Sequence, residues 1–408
     1  MRYFSARGAQ VKCAPSSFRV PLFCAVTVFF WFSLYTYVSF LANHVESKVD
    51  SHAWTGVILS SYGFTQTVLR IPLGVLSDRV RSRKPFVVAG LFASTASALL
   101  LAFAESAPVL VLSRGLAGVA AATWVAFSVL FSSYFSPSDA TRAISTITVF
   151  LNAGNTLGLF LGGRTAHFFG PNVAFALAAG AGMLGLILSR WIVDNFNGPS
   201  AKLTVAAFTR VAQNPVLILS SCLALVLQAV TFATIYGFTP VYAESLGATK
   251  ESLANLALIS SLPVIVGNYL AGKRLVPRIG DAATAAIGLV LLAVFTVAIP
   301  LTGTVASLYV TQAVAGFGRG IALPVLMGLA IKDLSDEVRA TAMGVFQAVY
   351  GIGMVLGPIV AGIVGELADL DLSFVLMGAV ALAASLACVV ALGRVQSERS
   401  GSEFRLSG

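Results

Sequence analysis

The sequence predicts an all-α integral membrane protein, with twelve transmembrane helices arranged as two pseudo-symmetric six-helix halves. Three observations predict it. Apolar runs of about 20 residues, the length that crosses ~30 Å of hydrocarbon, recur along the whole chain. The cationic residues gather in alternate loops. The second half of the chain repeats the first at a fixed offset. Composition agrees: of 408 residues, 57% are hydrophobic and 11% are charged, whereas soluble domains carry roughly 25% charged residues.

The runs of the first half are 20–42, 54–77, 84–105, 107–134, 143–165 and 171–193, and those of the second half are 214–240, 252–272, 281–301, 304–331, 340–364 and 372–393. Residues 1–19 form a basic tail that resembles a signal n-region. The apolar run behind it is too long for a cleaved leader, so it reads as a retained first helix. Residues 194–213 link the halves. Asn195-Phe196-Asn197-Gly198-Pro199-Ser200 reads as a turn, and Leu203, Val205, Phe208 and Val211 as one face of a short interfacial helix, with an unstructured linker as the alternative. Residues 394–408 form a second tail.

Charge sets the orientation. Asp78, Arg79, Arg81, Arg83 and Lys84 lie within seven residues between the second and third runs. Such a density of charge cannot sit in hydrocarbon, and short Lys/Arg-rich loops face the cytoplasm. With both termini on that side, 20 of the 26 Lys and Arg are cytoplasmic, three (Lys48, Arg164, Lys250) are external, and Arg70, Arg114 and Arg319 remain inside helices. The net charge of +9 is therefore a record of topology, and no nucleic-acid partner is called for. The partners this reading implies are the lipid bilayer, a small-molecule substrate and a coupling ion, either a proton or a counter-anion. The four cysteines lack metal-like spacing, and neither a metal site, a cofactor nor a disulfide framework is suggested.

The repeat has an offset near 198. Ser138-Asp139-x-x-Arg142-Ala143 recurs as Ser335-Asp336-x-x-Arg339-Ala340, Ala117-Gly118 as Ala315-Gly316, and Gly154-x-x-x-Gly158 as Gly353-x-x-x-Gly357. Parallel repeats of this kind are a transporter plan, in which two halves rock about a central site. A monomer suffices, because the pathway lies between the halves of one chain.

Gly74-x-Leu76-x-Asp78-Arg79-x-x-x-Arg83-Lys84 resembles the signature loop between the second and third helices of the major facilitator superfamily, with Arg81 where the family usually has a second glycine. Arg114-Gly115-Leu116-Ala117-Gly118 resembles the family's fourth-helix motif, with Ala117 in place of the usual glutamine. Gly154 to Gly163 resembles the fifth-helix motif of its antiporters, with Leu159 in place of proline; Gly357-Pro358 keeps the proline in the eleventh helix. The resemblance covers the chain and implies the superfamily's fold and alternating access. It also implies gating roles for Gly74, Asp78, Arg79, Arg83, Arg142 and Arg339, with Asp78 facing the eleventh helix. It extends hinge roles to Gly154, Gly158, Gly353, Gly357 and Pro358, although small residues at this spacing are accounted for by close helix packing alone.

Candidate cavity residues are the intramembrane arginines Arg70, Arg114 and Arg319, with Tyr35, Asn152, Asn155, Gln228, Tyr236 and Asn268. A charge at mid-helix costs at least ~2.5–3.5 kcal/mol unless it meets water, a partner or a solute. All 17 Asp and Glu fall in loops, tails or helix ends. Buried cations without buried acids predict a cavity of positive potential and an anionic solute. The motifs of the fourth and fifth helices favour the alternative, a proton-coupled exporter of lipophilic drugs. No catalytic cluster stands out, so an enzyme is not expected.

Overall fold

The computed structural model describes residues 18–80, 82–135, 140–194, 213–332, 334 and 336–406. The side chains at 71, 74, 75, 78, 79, 140–142, 145, 336–341 and 391–406 lie outside that description. Gly74 and the side chains of Asp78, Arg79, Arg142 and Arg339 are among these, and the linker helix expected at 203–211 also lies outside the described residues.

Twelve helical rods run through the described residues. In the first half they are α1 (Arg19–Val49), α2 (His52–Val80), α3 (Lys84–Phe103), α4 (Ala107–Ser132), α5 (Ala140–Phe169) and α6 (Pro171–Trp191). In the second half they are α7 (Pro215–Ser245), α8 (Lys250–Leu270), α9 (Val276–Val297), α10 (Val305–Ile331), α11 (Asp336–Leu367) and α12 (Leu370–Leu406). Among the described residues, nine continuous stretches are long and apolar enough to cross a bilayer, and one of them, Lys250–Val297, holds both α8 and α9. The π-helical segment Ala271–Leu275 joins these two, and inside α9 Gly280, with a φ of 81°, interrupts the helix. Positive φ is nearly free for glycine and costly for other residues.

The first rod is longer than the apolar run that announces it, because its far end, Val38–Val49, is a separate and more polar helix. The break falls at Thr36, whose hydroxyl donates to the Phe32 carbonyl at 2.6 Å. Such back-bonding weakens the helix ladder and bends it. At the equivalent place in the second half, Thr234 donates to the Val230 carbonyl at 2.7 Å. There the chain forms a π-helical segment, Thr234–Phe238. Irregular turns of this kind inside a long helix commonly accompany function. The last rod continues through Leu406, past the expected end of its apolar run at 393.

Backbone packing repeats between the halves. A Cβ at Gly118 would collide with the Tyr62 carbonyl, and one at Gly316 with the Ser260 carbonyl. Gly158 abuts the Phe32 carbonyl of α1, and Gly357 the Ala229 carbonyl of α7. Gly90 lies against Thr123, and Gly288 against Ala322. Each pair is related by the offset read from the sequence. Helix pairs α2–α4 and α8–α10 therefore meet in the same way, as do α1–α5 and α7–α11.

The basic face of the bundle carries the 79–84 turn. There the Asp194 carboxylate accepts from the Ser82 hydroxyl at 2.6 Å and from the N–H groups of Arg83 and Lys84 at 2.7 and 2.9 Å. An acid at a helix N-terminus satisfies donors that have no partner within the helix. It pins the turn, and with it the buried Arg83, to the end of α6.

Candidate functional site

The contacts described between the halves run from the face opposite the basic turn to mid-depth. At that face the Glu366 carboxylate of α11 accepts from the Ser51 hydroxyl at 3.1 Å and from the Ala53 N–H at 3.4 Å. Asn43 donates to the Pro240 carbonyl at 2.9 Å. Arg164 of α5 lies 3.1 Å from Glu251 of α8, and His167 lies 3.9 Å from the same carboxylate. Deeper, Pro358 closes on Gly56, Ser60 donates to the Val355 carbonyl at 2.7 Å, and Gly351 meets Thr67. The opposite face is closed.

Where this seam reaches mid-depth, a cluster of rings and cations spans both halves. Arg114 projects from α4 with 5% of its surface exposed, and Arg319 from α10 with 7%. The Arg114 guanidinium carbon lies 4.3 Å from the centre of the Tyr62 ring, and that of Arg319 lies 5.4 Å from the Tyr236 ring. Tyr62 stacks nearly parallel to Phe232 at 6.3 Å and 16°. Phe232 meets Tyr236 at 5.3 Å. Tyr35 meets Tyr236 at 6.4 Å and Trp31 at 5.9 Å. Both arginines lie within electrostatic reach of Tyr35.

The electrostatic balance is uneven. Arg114 Nε is buried without a hydrogen-bond partner, and so is Arg70 Nε. Among the described residues no carboxylate forms an ion pair with Arg70, Arg114 or Arg319. A ring face returns about 0.5–2 kcal/mol to a cation. That does not offset the cost of burying a guanidinium, which exceeds it even on the most lenient scale. Trp31 Nε1, Gln66 Oε1, Asn155 Oδ1 and Gln312 Oε1 are also buried without partners. The arrangement can take up an acceptor that carries negative charge.

Of the cavity residues expected from the sequence, the structure gathers Tyr35, Tyr236, Arg114 and Arg319. Arg70 is within electrostatic reach of Tyr62. Gln228 is half-buried on α7, and Asn155 is half-buried on α5. Asn152 and Asn268 are exposed. The glycines Gly154 and Gly158 pack on α1, and Gly353 and Gly357 on α7, within their own halves. Tyr62, Phe232 and Gln312 were not singled out by the sequence. Gln312 had a signal, for it stands 198 positions after Arg114. Phe232 had none, being one of 28 phenylalanines.

The pattern of the Major Facilitator Superfamily matches residues 23–273 and 221–406. The chain belongs to the Major Facilitator Superfamily. It is a membrane transporter, not an enzyme. An uncharacterized MFS-type transporter of Methanocaldococcus jannaschii is 24% identical over 80% of this chain and 86% of its own. Multidrug resistance protein MdtG of Klebsiella pneumoniae is 22% identical over 88% of this chain and 90% of its own. Among solved structures, the nucleoside transporter NupG superposes with a TM-score of 0.79 at 14% identity, covering 91% of this chain and 99% of that one. At that identity the likeness shows the superfamily fold.

Proposed function

We propose that this transporter moves a small organic anion by alternating access. The observation that supports the reading is the pair of buried guanidiniums, one from each half, with rings as their only described partners. Uncompensated buried cations are costly, and an anion bound between them relieves both costs at once. A solute that touches one arginine from each half also senses their relative position, which is what alternating access requires. The basic face is the cytoplasmic one, with both termini there, and the protein resides in the cell membrane as a monomer. The state described is then closed to the outside. Asp78, Arg79, Arg83, Arg142 and Arg339, with Gly74, form the inner gate, and the helix-crossing glycines Gly154, Gly158, Gly353 and Gly357, with Pro358, give the hinge. Residues 194–213 link the two lobes, 20–193 and 214–393.

The experiment is uptake by proteoliposomes of a panel of labelled organic anions. Wild-type protein is expected to take up at least one of them, and Arg319→Ala and Arg114→Ala, folded to the same extent, to lose that uptake. Export of lipophilic cations that depends on a proton gradient, without anion uptake, overturns the reading. That outcome is the second reading, proton-coupled multidrug efflux. The name of the Klebsiella pneumoniae relative and the wealth of rings around Tyr35 favour it.

A further inference from the structure

We infer that the anion carries a planar ring, so that the site selects aryl carboxylates over aliphatic ones of equal charge; this rests on the anion reading above. The ground is the continuity of the cluster. From Arg114 the path runs through Tyr62, Phe232 and Tyr236 to Arg319, with two ring–ring contacts in the middle and a cation–ring contact at each end, and crosses from one half to the other at the Tyr62–Phe232 pair. Each guanidinium therefore lies over a ring, while the N–H fork at its edge finds no acceptor among the described residues. A guanidinium uses its face for stacking and its edge for bidentate bonding to a carboxylate, and the two do not compete. A ligand that joins a carboxylate to a flat ring uses both. Its oxygens take the free N–H groups, and its ring joins the row of side-chain rings.

The crossing point is the looser of the two ring–ring contacts on this path. Ring pairs attract over centroid separations of about 4.5–7 Å, and Tyr62 and Phe232 stand near the far end of that range, at 6.3 Å. Theirs is the weakest stacking geometry on the path, and it is the one that must change when the halves move. Buried donors and acceptors without partners surround the cluster. Trp31 Nε1 offers a further donor to the carboxylate, while Gln66 Oε1 and Gln312 Oε1 suit a ring hydroxyl or amine. An aliphatic anion satisfies the guanidiniums and leaves the ring faces with no planar partner. Stacking on an aromatic side chain adds affinity beyond that of the area buried. Two such faces are enough to discriminate between otherwise similar acids.

The test uses four probes on the purified full chain, read by quenching of the intrinsic fluorescence of Trp31 and Trp124 and by thermal shift. Benzoate and cyclohexanecarboxylate share charge and approximate size, acetate lacks the body, and benzamide lacks the charge. Benzoate is expected to bind at least tenfold more tightly than cyclohexanecarboxylate. Tyr62→Leu and Phe232→Leu are expected to bring the two within about twofold of each other, while Tyr62→Phe keeps the gap and controls for folding. Equal binding of benzoate and cyclohexanecarboxylate, with both lost in Arg319→Ala, overturns the ring requirement and leaves the anion reading standing. Binding of benzamide equal to that of benzoate, indifferent to either arginine, overturns both. Failure of every carboxylate to bind also overturns both.

Discussion

The two halves agree in their backbones and differ in the side chains of the mid-depth cluster. Gly118 on Tyr62 and Gly316 on Ser260 are one contact made twice. The side chains beside those carbonyls have diverged: tyrosine in one half, serine in the other. Helix α4 places its cation at Arg114, where α10 has Gln312; α10 places its own at Arg319, where α4 has Ala121. Arg319 therefore stands seven residues, about two helical turns, deeper than a symmetric partner of Arg114. Helix packing tolerates little change at a glycine crossing, so duplication is preserved there. The mid-depth cluster is released from that constraint, and its asymmetry suits the asymmetric solute proposed for it.

The largest expected effect breaks the comparison on its asymmetric side. Removing a charge that bonds directly to a buried ionic ligand costs about 2–5 kcal/mol. Arg114→Ala and Arg319→Ala are each expected to raise the KM for anion uptake by more than tenfold, measured in proteoliposomes, while the symmetric substitution Ala121→Ser leaves it unchanged. Moving the cation to its symmetric place, in the double variant Arg319→Ala with Gln312→Arg, tests whether depth matters; uptake is expected to stay as low as in Arg319→Ala alone.

The next effect tests the symmetric side. Gly118→Leu and Gly316→Leu overpack equivalent crossings, and each is expected to destabilise the fold by about 1–3 kcal/mol. Thermal unfolding in detergent reads it. Similar losses in the two variants support equivalent packing, and a loss in one alone refutes it.

Smaller effects belong to the closed face opposite the basic turn. Partly exposed ion pairs contribute about 0.2–1 kcal/mol. Glu251→Gln removes the carboxylate shared by Arg164 and His167, and is expected to shift the population modestly toward opening, read by a distance probe between labels on α5 and α8. The smallest effect is one of pH. The Glu46 carboxylate, 2.7 Å from His52 Nδ1, raises the affinity of His52 for its proton above the ordinary value. The contribution of His52 is complete at low pH and fades as pH rises through that raised value. The face opposite the basic turn is expected to be more firmly closed below that raised value than above it, and the same labels moved to α2 and α11 would read it.

Much of the fold was legible in the sequence. The spans, the charged turn at 79–84 and the offset near 198 are all visible in the residues, because hydrocarbon excludes charge residue by residue and a duplicated chain keeps its crossings. The proposed site was legible where it violates that exclusion, at Arg114 and Arg319. It was not legible at Tyr62 and Phe232, since an aromatic residue in a membrane helix looks the same whether it packs, faces lipid or lines a pathway. Tyr37 shows the ambiguity: two residues beyond Tyr35, it is fully buried, with its hydroxyl 3.4 Å from that of Ser97 on α3. It packs inside its own half, while Tyr35 looks across to Tyr236.

By itself the sequence determined which stretches span the bilayer, which loops carry the cations, that the chain is doubled, and that buried arginines lack buried acids. Only the tertiary structure decided which faces of those helices meet. It set Tyr62 beneath Arg114 and Tyr236 beneath Arg319, and joined them through Phe232. The physical reason is that solubility in lipid is a property of each residue in its own segment. A contact across two halves depends instead on the rotation and tilt of helices far apart in the chain, fixed by packing summed over the whole bundle.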